Sequence, residues 1–315
     1  MSNQQSGYVS LLGRPNAGKS TLLNALVGQK IAGVSSKPQT TRNRILGICN
    51  HDQAQILFLD TPGMHRLRKS AKINSLMNQE AWSVIGESDL VLYMIDANIG
   101  MEGLDRDFLK SIMKATESPV ALVLSKTDRM KKDRIKERSH QVAAQIAEIL
   151  EEVPEEKRSF LVNPEPIWSS AKNRESLPAL LDFICEFLPE APWMYPEDDL
   201  TDRPQRFVVS ELIREKTFRL LGEEIPYHTA VRIDKMEFKK NNVSIMASII
   251  VARNSQKGMV IGKQGSKIKE IGIEAREELE KHLDQPVFLD LQVKVDPDWV
   301  DDVSLIAEYS SLELS

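Results

Sequence analysis

Gly13-Arg14-Pro15-Asn16-Ala17-Gly18-Lys19-Ser20 stands between two stretches of contrasting pattern. Before it, Tyr8 to Leu12 is a short apolar run that reads as a buried strand, and Gly13 breaks it. After it, the residues KSTLLNALVG from Lys19 have helical periodicity and end at Gly28. Strand, glycine-bounded loop and helix form the context of a phosphate-binding loop. Backbone N–H groups of Asn16 to Ser20 are expected to converge on a β-phosphate, at a helix N-terminus that already favours an anion. Lys19 is expected to reach the β- and γ-phosphates, and Ser20, followed by Thr21, to ligate Mg²⁺ through its hydroxyl. Alone, this spacing says only "nucleotide phosphate" and suits an ATPase or a small-molecule kinase equally well.

Three later motifs narrow it. Asp60-Thr61-Pro62-Gly63 follows the apolar run Ile56 to Leu59. A carboxylate at Asp60 can hold Mg²⁺ through water, and the bare Gly63 N–H can approach a γ-phosphate, which makes this a switch loop. Read alone, Asp-Thr-Pro-Gly is as well explained by a type I turn. Ser125-Lys126-Thr127-Asp128 ends the run Val120 to Leu124. Asp128 there can accept both the N1–H and the exocyclic N2–H of guanine, a donor pair adenine lacks, while the Lys126 stem lies along the base face. Ser170-Ala171-Lys172 follows Ile167-Trp168, and the Ala171 N–H can meet the guanine O6. On its own that tripeptide is a helix cap at Ser170; its place after Asp128 gives it weight. The four motifs in this order read as a GTPase.

The chain has 315 residues, 41% apolar and 28% charged, enough for two soluble domains. Cys49 and Cys185 form no metal-type spacing and suit a reducing compartment. No signal peptide or membrane span is apparent, so the chain is expected in the cytoplasm, with peripheral membrane contact left open. The net charge of −5 is concentrated in residues 189–204 and 297–315, so neither domain repels nucleic acid by its overall charge. A basic stretch, Met64 to Gln79, carries His65, Arg66, Arg68, Lys69 and Lys72; a solvated surface explains it as well as RNA contact does.

Domain boundaries are expected at 1–188, a proline-dense acidic linker 189–204, a second domain 205–297 and an acidic tail 298–315. The first part alternates strands with helices, near 72–87, 103–116, 131–151 and 175–187, the α/β pattern of a doubly wound sheet. An antiparallel pair is expected at 42–50 and 54–60, turning at Asn50-His51-Asp52. In the second part Gln205 to Leu221 reads as an amphipathic helix closed by Gly222. Strands at 228–238 and 243–254, a helix from Ser266 to about His282 and a strand Val287 to Val295 complete an α-β-β-α-α-β order. Gly262-Lys263-Gln264-Gly265 lies between the last two helices, with Lys257, Lys267 and Lys269 around it. A GXXG loop there is the clamp of a KH domain, where two glycines let backbone approach a phosphodiester of single-stranded RNA. Val260, Ile261 and Ile268 are expected to line an apolar groove for bases.

The chain resembles the Era family of bacterial GTPases over nearly its whole length. The stretches that carry the resemblance are GRPNAGKSTLLNAL (13–26), KPQTTRNRI (37–45), FLDTPG (58–63), IREKTFRLLGEEIPY (213–227) and SQKGMVIGKQGSKIKEIG (255–272). The resemblance implies a P-loop GTPase domain followed by a smaller type II KH domain, with GTP/GDP and Mg²⁺ as ligands. It implies binding of 16S ribosomal RNA near its 3′ end, assembly of the 30S subunit and peripheral contact with the inner membrane; the chain is expected to be a monomer. Within KPQTTR, Thr41 is the choice for the Mg²⁺-binding switch threonine, with Thr40 second.

Four departures stand out. Ser125 replaces the usual Asn, and a hydroxyl keeps part of the bonding between base loop and phosphate loop. Gln264 replaces a frequent second glycine. The stretch 303–315 looks unlike the family's pattern. Met64 stands where many small GTPases have a water-orienting Gln, and Asn16 matches a position that holds K⁺ in potassium-dependent relatives. Lys19, Thr41 and Gly63 are thus the expected catalytic set. The alternatives are a translation-linked GTPase acting on tRNA or the large subunit, and a metabolic P-loop kinase.

Overall fold

The computed structural model describes residues 4–35, 37, 40–41, 43–63, 82–222 and 229–310. By contact these form two compact units. The first comprises the described residues up to 31, 44–63 and 82–202; the second comprises those of 32–43 and 203–310.

In the first unit the apolar runs form β1 (Gln5–Gly13), β2 (Ile45–His51), β3 (Ala54–Asp60), β4 (Leu90–Asp96), β5 (Val120–Ser125) and the short β6 (Ile167–Trp168), in the sheet order β2-β3-β1-β4-β5-β6. All neighbours are parallel except β2 and β3. The expected antiparallel pair therefore forms, but its turn falls one residue later, at Asp52-Gln53, where Asp52 takes φ +50°. Helices α1 (Lys19–Val27), α2 (Gly103–Ala115), α3 (Lys132–Glu151) and α4 (Leu177–Cys185) flank the sheet. Buried strands need apolar residues on both faces, and β4 and β5 supply them almost without interruption. Of the helix expected near 72–87, only 82–87 lies among the described residues, as a short turn of helix; the basic stretch from Met64 lies outside them.

Residues 189–202, expected as a linker, pack on the first unit. Prolines keep the segment extended, and extended backbone can pair with other strands. Ser6 N donates to Pro189 O at 3.2 Å and Ala191 N to Gln4 O at 3.1 Å. The buried Gln55 amide accepts from Met194 N and Tyr195 N and donates to Tyr195 O, each at 2.9 Å. Ile48 N donates to Leu200 O at 2.9 Å, so the strap covers the outer edge of β2.

The second unit follows the expected order: α5 (Gln205–Leu220), β7 (Thr229–Phe238), β8 (Val243–Val251), α6 (Asn254–Ile261), α7 (Ser266–Leu283) and β9 (Val287–Val295). β7 and β8 are antiparallel, β8 and β9 parallel. Two expectations need correction. Helix α5 is not amphipathic: residues Phe207–Phe218 are all buried, and its polar side chains are paired, Glu211 with Arg214 and Glu215 with Lys216. It also does not end on a glycine cap. Leu221 is extended and buried, and the Lys37 ammonium takes the carbonyls of Phe218, at 2.7 Å, and Leu221. Cationic capping of this kind satisfies the carbonyls that a left-handed Gly222 would otherwise help to close.

The tail contributes structure that its sequence did not suggest. Val303–Ser310 forms α8, and Trp299, fully buried, packs with Ala230, Ile250, Ala252 and Ile306. Tyr309 donates to Asp296 Oδ2 at 2.8 Å and carries the Arg232 guanidinium 5.5 Å from its ring centre. Trp299→Ala should therefore destabilise the second unit by about 3–5 kcal/mol, the usual cost of emptying a buried aromatic site. Urea unfolding followed by circular dichroism measures this; a loss under about 1 kcal/mol would show that α8 is a loosely attached appendage.

Candidate guanine-nucleotide site and RNA-binding loop

The ends of β1, β3 and β5 assemble the site of the first unit. Gly13 has φ +142°, and a Cβ on it would lie 2.5 Å from Met94 O, so no side chain fits. Asn16, at φ +64°, and Gly18, at φ +98°, turn the loop into α1. The buried Lys19 ammonium donates to Gly13 O and Arg14 O at 3.2 Å each. Burial brings its pKa down to about 8, with Asp60 opposing and Lys126 assisting. Gly63 lies so close to the loop that a Cβ would stand 2.6 Å from Pro15 N and Cα. Thr61 donates to Leu11 O at 3.2 Å, tying the end of β3 to β1 ahead of Pro62.

The donor set at Asp60 fits a hard cation. Ser20 Oγ donates to Asp60 Oδ2 at 2.5 Å, while the fully buried Oδ1 has no partner among the described residues. Burial pushes this carboxyl up to about 6, against Lys19, Ser20 and the Thr61 backbone. A carboxylate held dry with one oxygen unsatisfied can accept a cation as a further partner. Thr41, the expected third ligand, groups with the second unit, as does Thr40.

The loops after β5 and β6 line a cavity of about 570 Å³ together with the loop after β1, among them Gly18, Thr21, Lys126, Asp128, Ala171 and Lys172. Ser125, buried, donates to Ala17 O at 2.5 Å and to Ile95 O at 3.2 Å. The hydroxyl therefore still ties the base loop to the phosphate loop. Lys126, at φ +58°, donates to Asn16 O at 2.5 Å and to Asp96 Oδ2 at 2.7 Å. Burial works against the Asp96 carboxylate, but Lys126 and Asn98 hold its pKa below the ordinary range. Asp128 Oδ1 accepts from Ser170 Oγ at 2.7 Å, and Ser170 Oγ accepts from Asn173 N at 2.9 Å. Ser170 thus both forms the turn at Asn173 and orients the Asp128 carboxylate.

The Arg14 side chain turns to the start of α2. Its guanidinium pairs with Glu102 and, at 3.2 Å, with Asp105 Oδ2, and Asp105 Oδ1 accepts from Tyr93 OH at 3.0 Å. Asp96 and Asp105 escaped the sequence reading because neither stands in a motif. Asp96 alone left a trace, as a carboxylate ending an apolar strand as Asp60 does.

In the second unit the Gly262–Gly265 loop has the backbone a clamp requires. Gly262 is at φ +73°, where a Cβ would meet the Lys267 backbone N at 2.9 Å, and Gly265, at φ +78°, caps α7. Gln264 takes φ +52°, so its side chain costs some strain, and like Lys263 and Lys269 it is exposed. Lys257 and Lys267 are half-buried, and Lys267 pairs with Glu270 at 2.7 Å. The apolar groove beside the loop is lined differently from expectation. Val260 is fully buried in the core, and the groove, about 300 Å³, is formed by Ile268, Lys269, Gly272 and Ile273 of α7 with Leu289 and Leu291 of β9.

Among known proteins, a model of the 50S ribosome-binding GTPase family matches residues 8–126, and a KH domain model matches 224–300. GTPase Era of Geobacter metallireducens is 42% identical over 306 residues, 96% of this chain and 97% of that protein. GTPase Era of Halothermothrix orenii is 41% identical over 303 residues, with coverage of 96% and 97%. A crystal structure of a variant Aquifex aeolicus Era bound to GDP·AlF4− is similar with a TM-score of 0.88 at 36% identity, covering 98% of this chain and 100% of that one. A structure of Era in complex with MgGDPNP and nucleotides 1506–1542 of 16S ribosomal RNA gives 0.86 at 37% identity, with the same coverage. Identity of 42% over 96% of the chain, with matches to both a GTPase model and a KH domain model, shows that the chain belongs to the Era family of GTPases.

Proposed function

We propose that this chain is a GTP-hydrolysing switch whose second domain binds 16S ribosomal RNA near its 3′ end during assembly of the 30S subunit. The observation that carries the nucleotide reading is the cavity shared by Gly18, Lys126 and Asp128, with Lys19 and Asp60 buried beside it. In this reading Gly13 to Thr21, Asp60 to Gly63, Ser125, Lys126, Asp128 and Ser170 to Lys172 hold the nucleotide. Ser20 and Asp60, with Thr41 as a third ligand, would hold Mg²⁺, which would supply positive charge at the phosphates when bound. Lys19 holds its proton at Nζ and donates to phosphate oxygens where it now donates to carbonyls. Gly63 offers its N–H to the γ-phosphate. Lys257, Gly262 to Gly265, Lys267 and Lys269 hold the RNA backbone. The chain works as a monomer in the cytoplasm. No helix among the described residues is long and apolar enough to cross a membrane; peripheral membrane contact rests on the resemblance alone.

Base selection is testable at Asp128. Asp128→Asn should lower GTP affinity by roughly ten- to hundredfold, the worth of a hydrogen bond to a charged group, and raise preference for xanthosine triphosphate. Competition binding with the two nucleotides measures it. Retained GTP selectivity would mean that Asp128 does not read the base; a phosphate-transferring kinase would show no guanine preference at all.

A monovalent cation is proposed at Asn16, which lies within the phosphate loop, because Met64 cannot orient water. Hydrolysis should run faster in potassium chloride than in matched sodium chloride, and Asn16→Ala should abolish the difference. Equal rates in the two salts would remove the ion from the mechanism and point to an external activator.

The RNA reading is testable at the loop. Lys263 and Gln264 are exposed, so a Lys263→Asp, Gln264→Asp pair should leave the fold and GTP hydrolysis intact while repelling phosphodiesters. Affinity for an oligonucleotide matching the 3′ end of 16S rRNA should collapse in filter binding. For the unaltered chain it should fall with salt at a log–log slope of roughly −0.7 per phosphate contacted. Unchanged affinity in the double variant would make the loop a simple turn and move the search to the basic stretch His65 to Lys72.

A further inference from the structure

Asp105 is buried in the first turn of α2, 2% exposed, and stands in none of the nucleotide motifs. Both of its oxygens are used. Oδ1 accepts from Tyr93 OH at 3.0 Å. Oδ2 accepts from Glu102 N at 2.9 Å and from Arg14 Nη1 at 3.2 Å. Tyr93 is fully buried on β4, opposite Leu12 of β1. One carboxylate thus joins a central strand, the start of a helix and the phosphate loop. Burial raises the pKa of this carboxyl, with the Glu102 N–H, Arg14 and Tyr93 opposing. A buried charge pair adds little net stability, but losing one partner is costly, so such a pair fixes a geometry.

The loop that Arg14 belongs to needs fixing. Asn16, at φ +64°, holds a conformation that persists only where the surroundings over-determine it. The base loop supplies this on one side: Ser125 Oγ donates to Ala17 O and Lys126 Nζ to Asn16 O, each at 2.5 Å. Arg14 stands on the other side. Its own carbonyl accepts from Lys19 Nζ and from Ala17 N, each at 3.2 Å. Holding the Arg14 side chain therefore holds the peptide on which Lys19 and the first turn of the loop lean.

We propose that Asp105 is a positioning residue for the phosphate loop: through Arg14, and with Tyr93 behind it, it keeps the backbone N–H groups of Asn16 to Ser20 in the array that a β-phosphate requires. A loop ordered in advance loses less freedom on binding. GDP and GTP share the β-phosphate. The effect therefore falls on both nucleotides alike, and on affinity rather than on the chemical step.

The proposal rests on the nucleotide site described above. Failure of the unaltered chain to bind either nucleotide would overturn that site; failure of the proposal shows as variants that bind as the unaltered chain does. The test uses the full chain with excess Mg²⁺, fluorescent GDP and GDPNP, and GTP turnover. Asp105→Asn keeps the shape, removes the charge and turns an amide N–H toward groups that are themselves donors. GDP and GDPNP affinity should fall together on the order of tenfold, the worth of one hydrogen bond to a charged group. KM for GTP should rise by the same factor while kcat holds within about twofold. Arg14→Met should do the same, and the double variant should bind no more weakly than Arg14→Met alone, because the two residues act as one unit. Unchanged affinity in a folded Asp105→Asn, with only the urea midpoint lowered, overturns the proposal and leaves Asp105 as a cap of α2. So does a fall in kcat with KM unchanged, or additive losses in the double variant. If Asp105→Asn proves misfolded by circular dichroism, Tyr93→Phe decides. It removes one hydroxyl behind Asp105, and the fully buried ring makes no nucleotide contact of its own. Affinity for both nucleotides should then fall about threefold, and equal affinity overturns the proposal.

Discussion

Parallel pairing is the constraint from which the first domain follows. Parallel strands end together at one edge, so β1, β3 and β5 deliver Gly13, Asp60 and Ser125 to the same side of the sheet. β1 lies beside β4, and the connection after β1 runs toward β2 while the one after β4 runs toward β5, in opposite directions. A crevice opens at such a switch point, and a phosphate-binding loop there needs no further scaffold. Short apolar strands are enough to build this. The chemistry sits on the loops that leave the strand ends.

That arrangement buries charge. Lys19 and Asp60 sit dry beside one another, each shifted toward its neutral form by burial. The carbonyls of Gly13 and Arg14 and the hydroxyl of Ser20 satisfy them in part. A phosphate and a divalent cation would complete both at once, since each charge that desolvation disfavours gains an opposite one. The site is thus organised around charges it does not itself balance, as expected where a ligand is part of the electrostatic design.

The strand order and the glycine-bounded turns at 13–20, 125–128 and 262–265 were legible in the sequence, for a physical reason. Such turns are local: their geometry is set by glycines and chain turns within a few residues. What the sequence hid is non-local. Arg14 pairs with Glu102 and Asp105, about ninety residues away in the chain, because α2 begins beside it. Val260 looked like a groove residue, but helix α6 turns it into the core. Helix α5 read as amphipathic because its polar residues have the right period, yet they are buried against partners far away in the chain. The tail gave no motif, and only the tertiary fit of Trp299 reveals its place.

The strap of residues 189–202 has a consequence for how the protein is made. Its backbone completes hydrogen bonding at Gln4, Ser6 and Ile48, and Gln55 is satisfied largely by Met194 and Tyr195. A nascent chain that has emerged only as far as α4 therefore has every nucleotide motif but an uncovered β2 edge. Translation must run on through the proline-rich stretch before the sheet is sealed. Until then the emerging domain offers a strand for pairing with other chains, and a chaperone has something to bind.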